Sequence, residues 1–224
     1  MTNKIVIFGT GDIAEEVYNY LSIDSDYDVV AFNIDKKFIK KKSFMGKPVV
    51  AFENVKKKYP SKSFKMFIAI GYTNFNQLRF KKYNEAKKKG YKLISYISSK
   101  ASIIANQKIG DNCLILENNS IQTTAKIGSN VFLWCNNLIG HHVIIKDNAY
   151  VAGGCVISGS SIIEKHCFIG VNSTITHGIR IGKNCFIGAN TLVNESLKSK
   201  TLSIASPAKK IKINNLNLID NILK

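Results

Sequence analysis

The sequence lacks the signals that mark membrane, secreted, zinc-binding and nucleic-acid-binding proteins. It has no run of about eighteen apolar residues, the length that a membrane-spanning helix needs, so we expect no membrane insertion. The first residues, MTNKIVIFG, carry neither a basic n-region nor a cleavage site, which favours a cytoplasmic protein. There are five cysteines but no CxxC pair, and we expect no metal site. The lysine runs 40–42, 56–58 and 87–89 have neither interleaved aromatic residues nor a recognition motif, so no nucleic-acid partner is expected.

The strongest pattern in the chain is an aliphatic residue at every sixth position, in sixteen consecutive places. These residues are Ile103, Ile109, Ile115, Ile121, Ile127, Leu133, Ile139, Ile145, Val151, Ile157, Ile163, Ile169, Ile175, Ile181, Ile187 and Val193. A period of six matches neither an α-helix nor a simple strand alternation, and is typical of repeat architectures in which each short unit buries one side chain. Three units per coil would stack residues eighteen apart at the ordinary strand spacing of about 4.8 Å. The sequence therefore predicts a parallel β-helix over residues 101–195.

Two further columns of the repeat indicate a narrow, sharply turning coil. The third residue after each aliphatic position is usually one that tolerates the positive φ of a tight corner. These residues are Asn106, Asn112, Asn118, Asn130, Asn136, Asn148, Asn172, Asn184, Asn190, Gly154 and Gly178, with His142 and His166 at the same offset. The fourth residue is mostly small and includes Cys113, Cys155, Cys167 and Cys185. We therefore interpret all five cysteines, Cys135 included, as packing residues.

Residues 1–100 alternate between strand and helix patterns, as in a small Rossmann-like α/β domain. The predicted elements are strands at Lys4–Phe8, Asp28–Ile34, Met66–Ile70 and Lys92–Ile97 and helices at Asp12–Leu21, Ala51–Lys58 and Asn74–Lys89. A ligand of such a sheet binds at the carboxyl ends of the strands. Residues 196–224 leave the six-residue register and end in an apolar stretch, Leu216–Leu223, which we expect to be helical and to cap the last coil.

The turn after the first strand, GTGDIAEEV from Gly9 to Val17, is the candidate ligand loop of this domain. Its glycines allow the backbone to approach a ligand, and the helix N-terminus favours an anion, although the third glycine of the dinucleotide fingerprint is absent. Asp35 follows the second strand, where it could bind a ribose or base or simply be solvated. Residues 1–100 carry 20 Lys and Arg against 9 Asp and Glu, within a net charge of +17, which suits small polyphosphate ligands.

The repeat resembles that of the hexapeptide-repeat acyltransferases. Over nearly its whole length the chain is similar to sugar O-acyltransferases of the sialic acid O-acetyltransferase type, which include the bacillosamine and perosamine N-acetyltransferases. The similar stretches are IVIFGTGDIAEEV, AIGYTNFNQLR from Ala69 to Arg79, IGHHVIIKD around His141, and SPAKKIK from Ser206 to Lys212. The resemblance implies a left-handed β-helix and a homotrimer with active sites between subunits. It also implies acetyl-CoA as co-substrate on the β-helix and a nucleotide-linked sugar on the first domain.

His141 is the strongest candidate for chemistry. With His177 it stands in a column that also holds Thr123 and Gly159, each eighteen residues apart, so Gly159 is predicted to leave an open notch and an exposed N–H beside the imidazole. An imidazole suits removal of the proton that an attacking amine or hydroxyl loses near neutral pH. The resemblance makes His141 the catalytic base and gives the Gly159 N–H to the acetyl carbonyl.

The resemblance also implies a wider set of site residues. The residue after the catalytic histidine is acidic in several members and orients the base, but here it is His142, which we count as catalytic although it is no carboxylate. Asp147 or Glu117 of a neighbouring subunit could supply that orientation instead. Implied substrate contacts are Gly9, Thr10, Gly11, Asp12, Asp35, Gly71 and Arg79. Implied coenzyme contacts are Tyr150, Gly159, Val171, Ala189, Pro207, Ala208 and Lys209, Tyr150 standing where another member has a second histidine.

Three functions are compatible with these features. The first is an acetyl-CoA-dependent N-acetyltransferase acting on a UDP-, dTDP- or GDP-linked 4-amino-4,6-dideoxyhexose in bacterial surface-glycan biosynthesis, favoured by the nucleotide-type domain ahead of the β-helix. The second is an O-acetyltransferase acting on sialic acid or another sugar. The third is a non-enzymatic solenoid scaffold, which would need neither the loop at 9–17 nor the histidines at 141–142.

Overall fold

The structure, a computed structural model, describes residues 3–104 and 107–208 and consists of an α/β part packed against a β-helix. The α/β part has a five-stranded sheet in the order β3-β4-β2-β1-β5, parallel except for the antiparallel β3–β4 pair. Its elements are β1 (Lys4–Phe8), α1 (Asp12–Ile23), β2 (Asp28–Ile34), β3 (Ser43–Phe44), β4 (Lys47–Ala51), α2 (Val55–Lys58), β5 (Lys65–Ile68) and α3 (Gln77–Lys88), with 3-10 turns at Lys36–Phe38 and Phe52–Asn54.

The two faces of this sheet are covered by different neighbours. Ile5 and Ile7 of β1 are fully buried in a cluster with α1 and with the β-helix. Val6 and Phe8, which point the other way in the strand, pack with α2 and α3. The sheet is thus buried on both sides, which explains why its central strands are apolar throughout rather than alternating.

The region between β2 and α2 differs from the prediction. Met45 and Gly46 both have positive φ and close a short hairpin that adds β4 to the sheet beside β2. The helix predicted over Ala51–Lys58 is therefore wrong in its first half, because Ala51 ends β4 and a 3-10 turn precedes α2.

Two predicted bounds near the end of the α/β part are also corrected. The helix predicted over Asn74–Lys89 begins only at Gln77, because residues 74–76 are all left-handed. The segment predicted as one strand, Lys92–Ile97, is divided between the two parts. Leu93 makes a single bridge to Met66, whereas Tyr96–Ile97 is the first strand of the β-helix.

The β-helix has three parallel faces made of two-residue strands, with partners eighteen residues apart. Face 1 contains Ser102–Ile103, Ser120–Ile121, Leu138–Ile139, Val156–Ile157, Thr174–Ile175 and Leu192–Val193. Face 2 contains Lys108–Ile109, Lys126–Ile127, Ile144–Ile145, Ile162–Ile163 and Arg180–Ile181. Face 3 contains Tyr96–Ile97, Leu114–Ile115, Phe132–Leu133, Tyr150–Val151, Phe168–Ile169, Phe186–Ile187 and Leu202–Ser203. The predicted six-residue period is confirmed.

The interior and the corners follow the repeat chemistry. The aliphatic column forms one buried core together with Cys113, Cys155, Cys167 and Cys185, whereas Cys135 is partly exposed. The predicted corner residues have positive φ, at Asn112, Asn118, Asn130, Asn136, His142, Asn148, Gly154, His166, Asn172, Gly178, Asn184 and Asn190. Asn106 lies outside the described residues. Thr124, Ser160 and Lys200 also adopt positive φ, although their side chains do not favour it, because the coil imposes the corner at those offsets.

Face 3 is the surface on which the α/β part sits. Its outward side chains are Leu114, Phe132, Tyr150, Phe168 and Phe186, and the Tyr150–Phe168 and Phe168–Phe186 ring pairs are stacked with centroids 5.4 and 4.5 Å apart. Asn112 links the two parts directly, accepting from the Ile68 N–H at 2.7 Å and donating to the Ile68 carbonyl at 3.3 Å. The column of apolar side chains and the Asn112 hydrogen bonds therefore hold the α/β part on face 3.

The described chain ends at Ala208, so the predicted helix at Leu216–Leu223 lies outside the described residues. Within residues 3–104 and 107–208, no helix has the length and apolar character needed to cross a membrane.

Candidate active site

His141 lies at the corner between faces 1 and 2, on an exposed edge of the prism. Its backbone N–H donates to Gln122 Oε1 at 2.9 Å, which ties the residue to the coil above. The imidazole leans over Gly159 in the coil below, and a Cβ on that glycine would come within 2.5 Å of Cε1 and 2.6 Å of Nε2. Only glycine leaves room for this ring position.

The predicted open notch at Gly159 is therefore not present in this form. Gly159 is buried, because the His141 ring fills the space that its missing side chain frees. The Gly159 N–H makes no hydrogen bond to another residue of the described ranges, so it is an unused donor close to Nε2. The glycine thus serves to place the imidazole as well as to offer a donor.

Two other histidines surround His141. His141 Nδ1 and His142 Nδ1 are 3.1 Å apart, a hydrogen-bond distance, while the His142 N–H donates to Thr124 Oγ1 at 2.9 Å. The His177 ring lies two coils below, with its centroid 6.0 Å from that of His141. The edge therefore carries a chain of three imidazoles rather than an imidazole and a carboxylate.

The two carboxylates considered as orienting groups are occupied within their own chain. Asp147 Oδ2 accepts from Lys165 Nζ at 2.9 Å, and its Oδ1 accepts from the Ser129 N–H at 3.0 Å. Glu117 Oε2 accepts from the Tyr20 hydroxyl at 2.8 Å. The pKa of the Asp147 carboxyl lies below its usual value, because these hydrogen bonds outweigh the cost of burial.

A second candidate site lies at the carboxyl ends of the strands in the α/β part, where a ligand was expected. Gly9 has φ +128, and a Cβ there would lie 2.6 Å from the Ala69 carbonyl oxygen, so the turn after β1 requires glycine. A cavity of about 240 Å³ opens beside Thr10 and is lined by Phe38, Lys40 and Lys41. An aromatic ring and two ammonium groups suit a nucleotide base and its phosphates.

Phe38, Lys40 and Lys41 were not among the predicted substrate contacts. The lysine run at 40–42 carries no recognition motif, and the signal that was available is its position after β2, at the edge where parallel sheets bind ligands. Gly11, the N-cap of α1, has no neighbour within 4 Å of an added Cβ, and a Cβ added to Gly71 would meet the Ile13 side chain at 3.7 Å. These glycines leave the loop surface open.

Predicted charges near this loop are arranged differently from the expectation. Asp35 Oδ1 accepts from the buried Lys82 at 2.6 Å, and Lys82 also binds Glu85 at 2.8 Å. Burial alone would lower the pKa of Lys82, but the two carboxylates outweigh it and raise that pKa. Asp35 is thus held by an ion pair, and Asp12 in the first turn of α1 is exposed beside the loop.

Arg79 is not available to a substrate. The side chain is fully buried, and its guanidinium donates to the carbonyl oxygens of five residues and stacks 4.3 Å from the Phe132 ring. The acceptors are Ile70, Gly71, Asn130, Asn148 and Ala149, at 2.8 to 3.4 Å. Burial lowers the pKa of Arg79 to about 9, which still leaves it cationic at neutral pH. We assign it to the joint between the two parts of the chain.

Tyr150, a predicted coenzyme contact, is also buried between the two parts of the chain. It points outward from face 3 and is buried beneath the α/β part, with the Tyr72 ring 5.1 Å and the Phe132 ring 6.1 Å away. Burial raises the pKa of the Tyr150 hydroxyl to about 12. The α/β part covers the ring, and the expected contact of the hydroxyl with the acetyl group stays a prediction.

The remaining coenzyme residues form a strip along the corner between faces 3 and 1. Val171 and Ala189 are exposed and stand eighteen residues apart in one column. The next coil is two residues shorter, so Ala205 continues the column, and the exposed Pro207 and Ala208 follow it. Small apolar side chains in a column parallel to the helix axis suit an extended, flexible ligand such as the pantetheine arm of a coenzyme. Lys209 lies outside the described residues.

One chain therefore holds its candidate residues on different edges. The α/β part covers face 3. Helix α1 follows the Gly9–Asp12 loop, and its Tyr20 hydroxyl donates to Glu117 at the corner between faces 3 and 1. His141 occupies the corner opposite face 3.

Among the described residues no group of three or more His, Cys, Asp or Glu side chains could hold a metal ion.

Sequence comparison identifies the repeat. Residues 124–159 match the bacterial transferase hexapeptide family with six repeats, and residues 161–195 match the hexapeptide repeat of succinyl-transferase. The matched residues form the coils around His141 and the coils that follow it, so this part of the chain is similar to the hexapeptide repeats of bacterial transferases. No curated protein sequence matches the chain.

The fold is similar to those of several solved structures. It is similar to a mutant of perosamine N-acetyltransferase from Caulobacter crescentus in complex with CoA and GDP-perosamine, at 22% identity and a TM-score of 0.82, covering 92% of this chain and 95% of that one. It is also similar to the acetyltransferase domain of PglB from Neisseria gonorrhoeae, at 19% identity and a TM-score of 0.80 over 94% and 100% of the two chains. WeeI from Acinetobacter baumannii has 22% identity and a TM-score of 0.77 over 92% and 99%. The predicted fold class, an α/β domain followed by a left-handed β-helix, is confirmed.

Proposed function

We propose that the protein is an acetyl-CoA-dependent N-acetyltransferase that acts on a nucleotide-linked amino-deoxysugar of a bacterial surface glycan in the cytoplasm. The observation that carries the proposal is His141 Nε2 held over Gly159 on a hexapeptide-repeat helix. The cationic and aromatic cavity at Thr10 supports a nucleotide diphosphate as the handle of the acceptor. The bound CoA and GDP-perosamine of the similar Caulobacter enzyme agree with both assignments.

The chemistry assigned to the chain is general base catalysis. When bound, acetyl-CoA supplies a thioester carbonyl that an amine can attack. His141 Nε2 takes the proton that the sugar amine loses as its nitrogen bonds to the acetyl carbon, and returns it to the sulfur as the carbon–sulfur bond breaks. Such a base contributes about 10² to 10⁴ in rate. The Gly159 N–H is the donor for the carbonyl oxygen as negative charge develops there.

The separation of the site residues supports a homotrimer. A nucleotide held by the α/β part on face 3 is on the far side of the prism from His141 of the same chain. Face 1 lies between the His141 corner and the Val171–Ala189 strip, and it exposes Leu138 and Leu192 to solvent. Packing around face 1 would bring the strip of one chain to the histidine of the next, so we assign the active site to the cleft between subunits.

Two experiments test this assembly. Light scattering should give three times the chain mass of 24.9 kDa, and a mass near that of one chain would remove the shared site. Co-expression of His141→Asn with a Lys40→Glu, Lys41→Glu double variant should restore activity that neither has alone, because mixed trimers contain intact composite sites. No recovery in verified mixed trimers would show that one chain supplies the whole site.

The reaction is tested by thiol release from acetyl-CoA with a panel of UDP-, dTDP- and GDP-linked amino sugars and with free sialic acid. Release with one amino sugar is expected, and release with sialic acid alone would establish the O-acetyltransferase alternative. His141→Asn should retain the fold and coenzyme binding while losing most of kcat. Full activity of a folded His141→Asn protein would overturn the base assignment.

A further inference from the structure

Among residues 3–104 and 107–208, no carboxylate makes a hydrogen bond to the ring of His141. Hydrogen bonds within their own chain hold Asp147 and Glu117, as described above. The hydrogen-bond partners of His141 are Gln122, which accepts from its backbone N–H, Ser160, whose N–H donates to its carbonyl, and the His142 ring. Of these, only His142 reaches a ring nitrogen of His141, at 3.1 Å between the two Nδ1 atoms.

Two ring nitrogens at this distance are held together by one shared proton. If neither carried a proton the two lone pairs would repel, and if both did the two N–H groups would point at each other. One Nδ1 must therefore donate and the other accept. The direction of that hydrogen bond decides which tautomer His141 adopts, and hence what its Nε2 can do.

The position of Nε2 selects one direction. Nε2 and Cε1 of His141 are the atoms that lie over Gly159, on the side where the acyl group is assigned. A base needs a lone pair on Nε2, which requires the proton to be on Nδ1. His141 Nδ1–H must then donate to His142 Nδ1, with the second proton of the pair on His142 Nε2.

We propose that His142 is a positioning residue that replaces the usual carboxylate: its Nδ1 accepts from His141 Nδ1–H and so keeps His141 Nε2 free to act as the base. This inference rests on the proposed function for the identity of the base. When His141 takes up the substrate proton it becomes an imidazolium, and the same hydrogen bond becomes charge-assisted and stronger. The neutral His142 ring thus stabilises the protonated form of His141 more strongly than its neutral form.

The backbone explains how a histidine directly adjacent in sequence can face its neighbour. His142 has φ +58, so its side chain leaves the corner in a direction that an ordinary extended residue would not give. The bond from its N–H to Thr124 Oγ1 fixes that corner against the coil above. The repeat geometry therefore creates the pair, and the second ring needs no support from another chain.

Three substitutions separate this role from a structural one. His142→Gly keeps the positive φ and removes the acceptor, and we expect kcat to fall about 10- to 100-fold with little change in KM. His142→Asn also tolerates positive φ and offers an amide oxygen, so it should recover most of that loss. Ser160→Gly is the matched control, because Ser160 occupies the same corner one coil below, with φ +61, and should leave kcat unchanged. Wild-type kcat in His142→Gly would overturn the proposal.

Nitrogen-15 spectra of histidine-labelled protein without substrates test the pair independently of activity. We expect the wild type to show His141 protonated at Nδ1, and His142→Gly to shift His141 toward the Nε2–H form. A wild-type His141 protonated at Nε2, or a tautomer unaffected by His142→Gly, would refute the proposal even if the enzyme is active. An Nδ1–H signal that depends on His142, in a protein inactive with every sugar tested, would support the pair and contradict the proposed function instead.

Discussion

Replacement of Arg79 by Met should destabilise the protein more than almost any other single change. The guanidinium is fully buried and donates to five backbone carbonyls from both parts of the chain. The Ala149 oxygen also accepts the Phe132 N–H, but the other four carbonyls have no second partner among the described residues. Replacing both partners of a buried hydrogen-bonded pair by apolar groups can leave the stability unchanged. Here the acceptors are backbone carbonyls, which no substitution removes, so they would be left buried without a donor.

The expected loss is about 3 to 5 kcal/mol, the range for removing one side of a buried charged interaction. For a chain of this size each kcal/mol lowers Tm by about 2 to 4 °C, so Tm should fall by about 6 to 20 °C. Arg79→Lys should lose nearly as much, because an ammonium cannot reach both Gly71 and Asn148 and does not stack on Phe132.

Urea denaturation and thermal scans at one fixed protein concentration provide the measurement, since assembly makes Tm concentration-dependent. Arg180→Met is the matched control, because this other arginine of the sequence is exposed and pairs only with Glu164, so the loss should stay below about 1 kcal/mol. A loss below about 1 kcal/mol in Arg79→Met would refute the reasoning, since it would mean that the four carbonyls find other partners.

Three further substitutions test individual assignments. Gly159→Ala should lower kcat by about 100-fold with little change in Tm, because the new Cβ displaces only the His141 ring. Tyr150→Phe should leave the KM for acetyl-CoA unchanged, and an increase of several fold would place its hydroxyl at the coenzyme after all. Burial and the nearby Lys183 and Arg79 lower the pKa of His166 in the folded protein. Unfolding therefore takes up a proton as the pH falls below about 6.5, and stability decreases there. His166→Asn, which suits the corner φ, should reduce the difference between urea midpoints at pH 7.5 and pH 5, and an unchanged difference would assign that acid sensitivity to other groups.

The β-helix could be predicted from the sequence because its rules are local. The residue at each corner needs positive φ, and Asn, Gly and His meet that requirement whatever surrounds them. The interior column needs one aliphatic side chain per six residues, and eighteen-residue stacking follows from three such units per coil. His141 and Gly159 were paired by the same count. The eighteen-residue spacing did not predict the direction of the His141 ring. The ring lies over Gly159 and fills the space that we expected to be an open notch.

The roles of Arg79 and Tyr150 could not be predicted in that way, because both depend on which face of the prism the α/β part covers. Arg79 lies outside the repeat and finds carbonyl partners up to 70 residues away within it, so the six-residue period does not predict these contacts. A signal was nevertheless present. The outward position is aromatic at Phe132, Tyr150, Phe168 and Phe186, every eighteen residues. The same offset on face 2 holds no aromatic residue, only Lys108, Lys126, Ile144, Ile162 and Arg180. Aromatic side chains that recur on one face of a solenoid indicate a covered face.

The covered face also constrains how the proposed reaction can be arranged. Arg79 and the stacked rings of face 3 join the α/β part to the β-helix through buried contacts, a joint that resists hinge motion. A nucleotide bound near Thr10 therefore stays on the face 3 side of its own prism, and domain closure does not bring it to His141. In the proposed assembly a second copy supplies the base to the sugar amine, and its His141 corner meets the strip at Val171 and Ala189. On this reasoning, the interaction that stabilises the single chain is the same one that makes catalysis depend on the assembly.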